Sequence, residues 1–172
     1  MRVLEIINGT IVDGNGLRTS IYFAGCKHCC KGCHNPESWD INGGKVMSVN
    51  EIFKIVEKNK FNVTYSGGDP LYQNIDELID LSKKIHSLNL DIWLYTGFTF
   101  EEIKNNDIYK NILDNIDVLV DGPFIESEKD LNLSFRGSRN QRILKKTNNS
   151  FTDISLECDL KNNQIKTKVS GN

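Results

Sequence analysis

The sequence lacks the features that would commit it to a membrane, to nucleic acid or to an oxidising compartment. No apolar run approaches the length of about 20 residues that a membrane-spanning helix needs. The net charge is only −2, so no basic excess points to nucleic acid. Met1 to Thr10 carries one arginine and no long apolar stretch, unlike a secretory signal. There is no internal repeat, and no low-complexity segment beyond a general richness in Asn and Lys. A disulfide framework is disfavoured because the five cysteines are odd in number and two of them, Cys29 and Cys30, are adjacent. The cytoplasm, which keeps thiols reduced, is therefore the expected compartment.

What remains is an ordinary globular composition, 38% hydrophobic and 26% charged. The length of 172 residues suits one domain with a sizeable core. We expect that core over residues 1–145, with 146–172 as a C-terminal extension. Four of the five cysteines fall within eight positions, in Cys26-Lys27-His28-Cys29-Cys30-Lys31-Gly32-Cys33. They follow an apolar run, Ser20 to Ala24, that reads as a strand. One strand tip cannot bury so many thiols, and clustered thiolates are ligands for soft metals and iron–sulfur clusters.

Cys26, Cys30 and Cys33 form the pattern C-x3-C-x2-C. A closed structural site wants four ligands, and three leave a position open for chemistry. A structural zinc site completed by Cys29, His28 or His34 is the competing reading. Usual zinc spacing uses two separated ligand pairs, however, and no second pair is present.

The strand and helix signals alternate. Val3 to Ile7 and Arg18 to Ala24 read as strands, with the turn Asp13-Gly14-Asn15-Gly16 before the second. Ser48-Val49-Asn50-Glu51 is a capping box, followed by Ile52, Phe53 and Val56 at helical spacing. Phe61 to Tyr65 is a strand closed by Ser66-Gly67-Gly68-Asp69-Pro70, and a helix starts at Asn74. Asp91 to Tyr95 is a strand ending in Thr96-Gly97. Thr99 to Glu102 is a second capping box, opening a helix broken around Asn105 to Asp107. Asp117 to Asp121 is a further strand. Ile154 to Cys158 and Gln164 to Val169, either side of Asn162-Asn163, read as a terminal hairpin.

This order means βαβ units and a mostly parallel sheet. A complete eight-fold barrel takes about 250 residues, so the expected fold is α/β: a partial, open barrel of five or six βα units with a C-terminal β-hairpin. In such folds ligands gather at the C-terminal ends of the strands. The cysteine loop, Ser66 to Asp69, Thr96-Gly97 and Asp121-Gly122 all fall there.

The motif C-x3-C-x2-C also resembles that of radical S-adenosylmethionine enzymes. Cys26 to Trp39, Ser66 to Leu71 and Arg136 to Arg142 are similar to the activating proteins of anaerobic ribonucleoside-triphosphate reductase. The stretch from Asp13 to Arg18 is also similar to one in activating families, and it reads equally as a plain hairpin turn. Gly32 stands where the larger superfamily usually has an aromatic residue. The resemblance implies a [4Fe–4S] cluster held by Cys26, Cys30 and Cys33, with S-adenosylmethionine on the fourth iron. It places Gly32, Cys33 and His34 near the adenine, and Gly67, Gly68 and Asp69 at the methionine amine. Thr96 and Asp121 are further candidates for ribose or methionine contacts; each also reads as a turn cap.

The implied reaction is reductive cleavage of S-adenosylmethionine, fed by a donor such as flavodoxin or ferredoxin. The resulting radical takes a hydrogen atom from a glycine of the large glycyl-radical subunit of the reductase. A pyruvate formate-lyase-type activase, a deazapurine-forming synthase and a non-enzymatic metal-binding module are the alternatives.

Overall fold

The computed structural model describes residues 1–161. Eight strands form one sheet: β1 (Arg2–Thr10), β2 (Arg18–Phe23), β3 (Lys45–Val46), β4 (Asn62–Gly67), β5 (Ile92–Tyr95), β6 (Val118–Asp121), β7 (Arg142–Thr147) and β8 (Ser150–Asp153). Their order is β3-β1-β2-β4-β5-β6-β7-β8, and the edge strands β3 and β8 do not meet, so the sheet is open. The four central strands, β2, β4, β5 and β6, are parallel to their neighbours within that group. β1 and β7 flank them antiparallel, and β3 and β8 pair antiparallel outside these.

The mixed α/β class matches the sequence reading, but the count of βα units does not. Three crossovers join four parallel strands, where five or six units were expected. The connection between β1 and β2 spans only residues 11–17. A parallel return needs a crossover of a dozen residues or more, so β1 must come back antiparallel.

The helices start where the capping residues place them. In α1 (Val49–Asn59) Ser48 and Glu51 form both halves of a capping box, and Ile52 and Val56 face inward. In α2 (Ile75–His86) the Asn74 side chain accepts from the Glu77 N–H, and Ile75, Leu78, Leu81 and Ile85 are buried. Thr99 and Glu102 box the start of α3 (Phe100–Lys104). The break after it is real: the chain resumes as a 3-10 turn over Lys110–Asn115.

The period-two alternation of strands gives the sheet two chemically different faces. One row of paired residues, Ile21, Tyr65, Leu94, Leu119 and Leu144, joins the main core beneath α1 and α2. The buried Tyr65 keeps a polar partner there, its hydroxyl 3.1 Å from Ser82 Oγ of α2. The opposite face carries Trp93, Val118, Val120 and Ile143, against which Tyr95, Phe135, Ile154 and Cys158 pack.

The connection over 11–17 is more than a hairpin turn. Thr64 Oγ1 donates to the Asp13 carbonyl at 2.7 Å, and Ser20 and Tyr22 both donate to the Asp13 carboxylate. Arg18 is wholly buried beneath this connection, donating to Thr64 Oγ1 at 2.7 Å and to the Val63 carbonyl at 2.6 Å, with Asp91 as its ion-pair partner. Gly14, at φ +134°, lets the chain pass there, since a Cβ would stand 2.9 Å from Arg18 Cδ and 3.0 Å from the Trp93 ring.

The C-terminal expectation needs correction. Ile154 to Cys158 is not a strand: residues 155–161 are helical and lie on the second face of the sheet. Gln164 to Val169 lies outside the described residues. The hairpin occurs earlier, between β7 and β8, where Thr147 pairs with Ser150 and both Asn148 and Asn149 have positive φ. Two central residues of positive φ fit the right-handed twist of a two-residue hairpin, and asparagine tolerates that conformation. An Asn-Asn pair marks the turn, but the sequence contains three such pairs, at 105–106, 148–149 and 162–163.

Candidate iron–sulfur site

The cysteine loop is stitched at its base by main chain. Gly25 donates to the Ser38 carbonyl at 2.8 Å and Cys26 to the Trp39 carbonyl at 3.2 Å. The loop base is joined sideways to β4 as well: Gly68 donates to the Phe23 carbonyl and Asp69 to the Gly25 carbonyl. Above the base, the Cys33 N–H reaches the Cys30 carbonyl at 3.1 Å. Cys26, Cys30 and Cys33 are half-buried, whereas Cys29 is exposed and has φ +47°. Burial pushes the Cys26 thiol up to about 11.

The three motif cysteines line one cavity of about 580 Å³, within the usual range for ligand sites. Its wall includes Cys26, Cys30, Cys33 and His34 from the cysteine loop, Gly67 and Gly68 from the end of β4, and Thr96 and Gly97 from the end of β5. Cys158 is absent from this wall; it packs with the second face of the sheet. Among the described residues no three His, Cys, Asp or Glu side chains converge on one point that could hold a single ion. Zinc with sulfur ligands at 2.3 Å requires such convergence, whereas an iron–sulfur cube takes each cysteine on a different iron. Three soft thiols spread along one cavity wall, with open space before them, fit a cluster.

Gly67 and Gly68 line the cavity, but their bare faces also have a protein role. A Cβ on Gly67 would stand 2.4 Å from Phe23 backbone atoms, and one on Gly68 would stand 2.4 Å from the Gly25 carbonyl oxygen and 2.7 Å from that of Ser38. The glycines therefore let the end of β4 close against the cysteine loop. Gly97 does the same for β5, its missing Cβ lying 2.5 Å from the His28 ring.

Asp69 is fully buried, and its carboxylate is engaged by protein. It accepts from Thr96 Oγ1 at 2.8 Å, from the Gly97 N–H at 3.0 Å and from the Leu71 N–H at 3.0 Å, and it pairs with His28 Nε2 at 2.9 Å. It is not on the cavity wall. Asp121 is likewise buried and away from the cavity: it accepts from the Phe100 N–H at 2.7 Å, at the start of α3, and from Arg142. The hydrogen bonds that Arg142 donates to Asp121 and Glu101 raise its pKa further. Thr96 lies on the cavity wall while its hydroxyl serves Asp69 and receives the Phe98 N–H.

Gly32 is exposed and off the cavity wall. It has φ +75°, and a Cβ there would stand 2.9 Å from Glu126 Oε1. The positive φ favours glycine here, while the end of the Glu126 side chain is flexible and could shift to admit a Cβ. Lys31 pairs with the same Glu126 at 3.2 Å.

Several residues of the cavity wall are not among the sequence candidates for the site, although Arg136 to Arg142 belong to a stretch that resembles the activating proteins. Tyr22 and Tyr95 reach the cavity from the second face of β2 and β5, and strand alternation alone could have grouped them. Burial raises the pKa of both hydroxyls, and that of Tyr95 has no hydrogen-bond partner among the described residues. Phe135, Arg136, Gly137 and Gln141 close another side. Their segment is a clasp on the chain leaving β6. Gln141 Oε1 accepts from the Gly137 and Ser138 N–H groups, Gln141 Nε2 donates to the Gly122 carbonyl at 3.0 Å, and Asn140 Nδ2 donates to the Pro123 carbonyl at 2.7 Å. Arg136 is tied to Asp159 of the final helical segment at 2.7 Å.

A thiol-bearing loop at the C-terminal edge of a parallel sheet, opening on a cavity lined by glycine backbone, defines an iron–sulfur protein. Residues 12–144 match the family described as 4Fe-4S single cluster domain, and the chain belongs to it. Full-length relatives sharpen the assignment. The anaerobic ribonucleoside-triphosphate reductase-activating protein of Salmonella typhimurium is 36% identical over 152 residues, covering 83% of this chain and 97% of its own length. The protein of that name from Pasteurella multocida is 36% identical over 156 residues, covering 86% of this chain and 99% of its own. That from Vibrio cholerae is 36% identical over 142 residues, covering 77% and 90%. The chain is a member of the anaerobic ribonucleoside-triphosphate reductase-activating protein family.

Proposed function

We propose that this protein activates anaerobic ribonucleoside-triphosphate reductase by generating a glycyl radical on its large subunit, through reductive cleavage of S-adenosylmethionine. The observation that carries the reading is the convergence on one cavity of Cys26, Cys30 and Cys33 with the glycine loops ending β4 and β5. The names of the relatives support the choice of target. On this reading the open sheet is a partial barrel of the radical S-adenosylmethionine type, forming a single domain over 1–172 with its core in 1–145.

Cys26, Cys30 and Cys33 hold the [4Fe–4S] cluster. When bound, the cluster supplies one electron to the sulfonium, drawn from a donor such as flavodoxin or ferredoxin. The backbone of Gly67 and Gly68 and the exposed His34 line the space for S-adenosylmethionine. Asp69 and Thr96 act on the cofactor through the loops they hold, and Asp121 and Gly32 through the chain that frames the cavity. The residues of the cavity bind, orient and exclude water; no general acid or base is assigned among them. The open sheet leaves a wide mouth, which suits a loop of a partner protein better than a small molecule. No helix among the described residues is long and apolar enough to cross a membrane. We place the protein in the cytoplasm, acting without nucleic acid or membrane.

The decisive experiment uses the large subunit labelled with deuterium at its radical glycine. Anaerobic reaction with the reduced protein and S-adenosylmethionine should place deuterium in 5′-deoxyadenosine and leave a carbon-centred radical on the subunit. Deoxyadenosine without a protein radical would end the activase reading. Recovery of deuterium from a labelled purine substrate would replace it with a small-molecule synthase.

A further inference from the structure

We propose that His28 is a positioning residue, which sets the cysteine loop against the cofactor-facing loops of β4 and β5. The inference rests on the function proposed above and adds to it a residue outside the three-cysteine motif.

The loop needs such a device. Its base is held by main-chain bonds at Gly25 and Cys26, but Lys27, Cys29, Lys31, Gly32 and His34 are all exposed. Among the described residues, one side chain from 27–34 makes a hydrogen bond to the loops that end the parallel strands, and it is His28. The remaining tie, Lys31 to Glu126, joins two well-exposed groups and holds little in water.

The His28 ring lines the cavity on one side and is held by neighbours on the others. Its Nε2 is 2.9 Å from Asp69 Oδ2. One side lies against Gly97, where a Cβ would be 2.5 Å from the ring. Phe98 meets it edge-on with centroids 4.6 Å apart, and Tyr72 is 5.7 Å away. The same Asp69 oxygen that faces His28 also receives Thr96 Oγ1 and the Gly97 N–H. One buried carboxylate thereby joins three loops, and His28 is the contribution of the cysteine loop.

The consequence concerns distance. Electron delivery into a bound sulfonium depends on where the cofactor sits relative to the cluster, and small misplacements cost rate steeply. Cys26, Cys30 and Cys33 fix the cluster to their own loop. His28 fixes that loop to Gly67, Gly68 and Thr96. Loss of its hydrogen bond should leave the cluster in place and loosen its alignment with the cofactor.

The test compares His28→Leu, which keeps an apolar side chain without a donor, with His28→Gln, which restores an N–H. Each full chain is reconstituted anaerobically with iron and sulfide, and the reduced cluster is titrated with S-adenosylmethionine by paramagnetic resonance. We expect wild-type iron content in both variants. Half-saturation should rise in His28→Leu by up to about tenfold, since the energy of the His28–Asp69 bond caps what its loss can take from cofactor alignment, and fall back most of the way in His28→Gln. The proposal is overturned if His28→Leu titrates like the wild type. It is also overturned if His28→Leu loses iron and circular dichroism together, because His28 would then be part of the scaffold alone. A wild-type cluster that does not respond to S-adenosylmethionine would instead remove the function on which the proposal rests.

Discussion

His28 and Asp69 stand 41 positions apart in the chain and meet at 2.9 Å at the edge of the sheet. Asp69 lies within the Gly-Gly-Asp-Pro loop that the resemblance assigns to the methionine amine. The structure gives its carboxylate to His28, Thr96 and two backbone N–H groups. On the proposed function, its influence on the cofactor runs through loop geometry.

Cluster content should divide the cysteines. Reconstituted protein should carry about four irons, as one [4Fe–4S] cluster requires. Cys26→Ala, Cys30→Ala and Cys33→Ala should each lose them. Cys29→Ala and Cys158→Ala should retain them, since Cys29 is exposed and Cys158 packs elsewhere. Loss of iron in Cys29→Ala with retention in Cys30→Ala would reverse the ligand assignment.

Gly68→Val should damage the cluster as well as the cofactor space. Its side chain enters at 2.4 Å from the Gly25 carbonyl oxygen, at the base of the cysteine loop. Iron content and S-adenosylmethionine binding should fall together. Gly16→Ala is the control: it has φ +77° but nothing within 4 Å, so about 1 kcal/mol of backbone strain is its expected cost, with iron content unchanged. An intact cluster in Gly68→Val would contradict the packing described.

Arg142→Ala should destabilise the fold. It leaves the Asp121 carboxylate, 1% exposed, without its cation. Breaking a fully buried pair costs about 3–5 kcal/mol; partial exposure of Arg142 lowers the expectation to about 2 kcal/mol. Urea denaturation measures it, and a midpoint equal to wild type would show that Asp121 is adequately held by the Phe100 N–H.

Leu94→Ala removes a fully buried side chain from the centre of the helix-facing row. A loss of about 2–5 kcal/mol is expected for a core site of this kind. Thermal melts of the apoprotein would test it apart from any cluster effect.

Asp117 supplies a pH dependence. Burial pushes its pKa up, but hydrogen bonds from His86 at 2.9 Å and from the Ile92 N–H at 2.8 Å outweigh burial and hold it below the ordinary value. A folded-state pKa below the unfolded one gives stability that is fully present above about pH 4 and lost as pH falls through the folded value. The gap in urea midpoint between wild type and Asp117→Asn should therefore be larger at pH 6 than at pH 3. A gap that does not change with pH would show that Asp117 contributes through packing alone.

Much of this protein is determined by local sequence. Strand alternation, the boxes at Ser48–Glu51 and Thr99–Glu102, and the spacing of Cys26, Cys30 and Cys33 each act over a few residues, and local rules read them. Alternating strands and helices also place the cysteine, Gly67–Gly68 and Thr96–Gly97 loops at one edge, because parallel crossovers return every strand in the same direction. What a side chain does at that edge is decided by partners far along the chain. Asp69 and Asp121 read from the sequence as caps or cofactor contacts, yet His28 and Arg142 pair with them. Gly32 is explained by its positive φ, and Gly68 by the Gly25 and Ser38 carbonyls. The turn at Asn148-Asn149 is set by the pairing of β7 with β8, which an Asn-Asn pair by itself does not specify. These outcomes depend on closing long loops against competing contacts, and that free energy is a property of the assembled sheet.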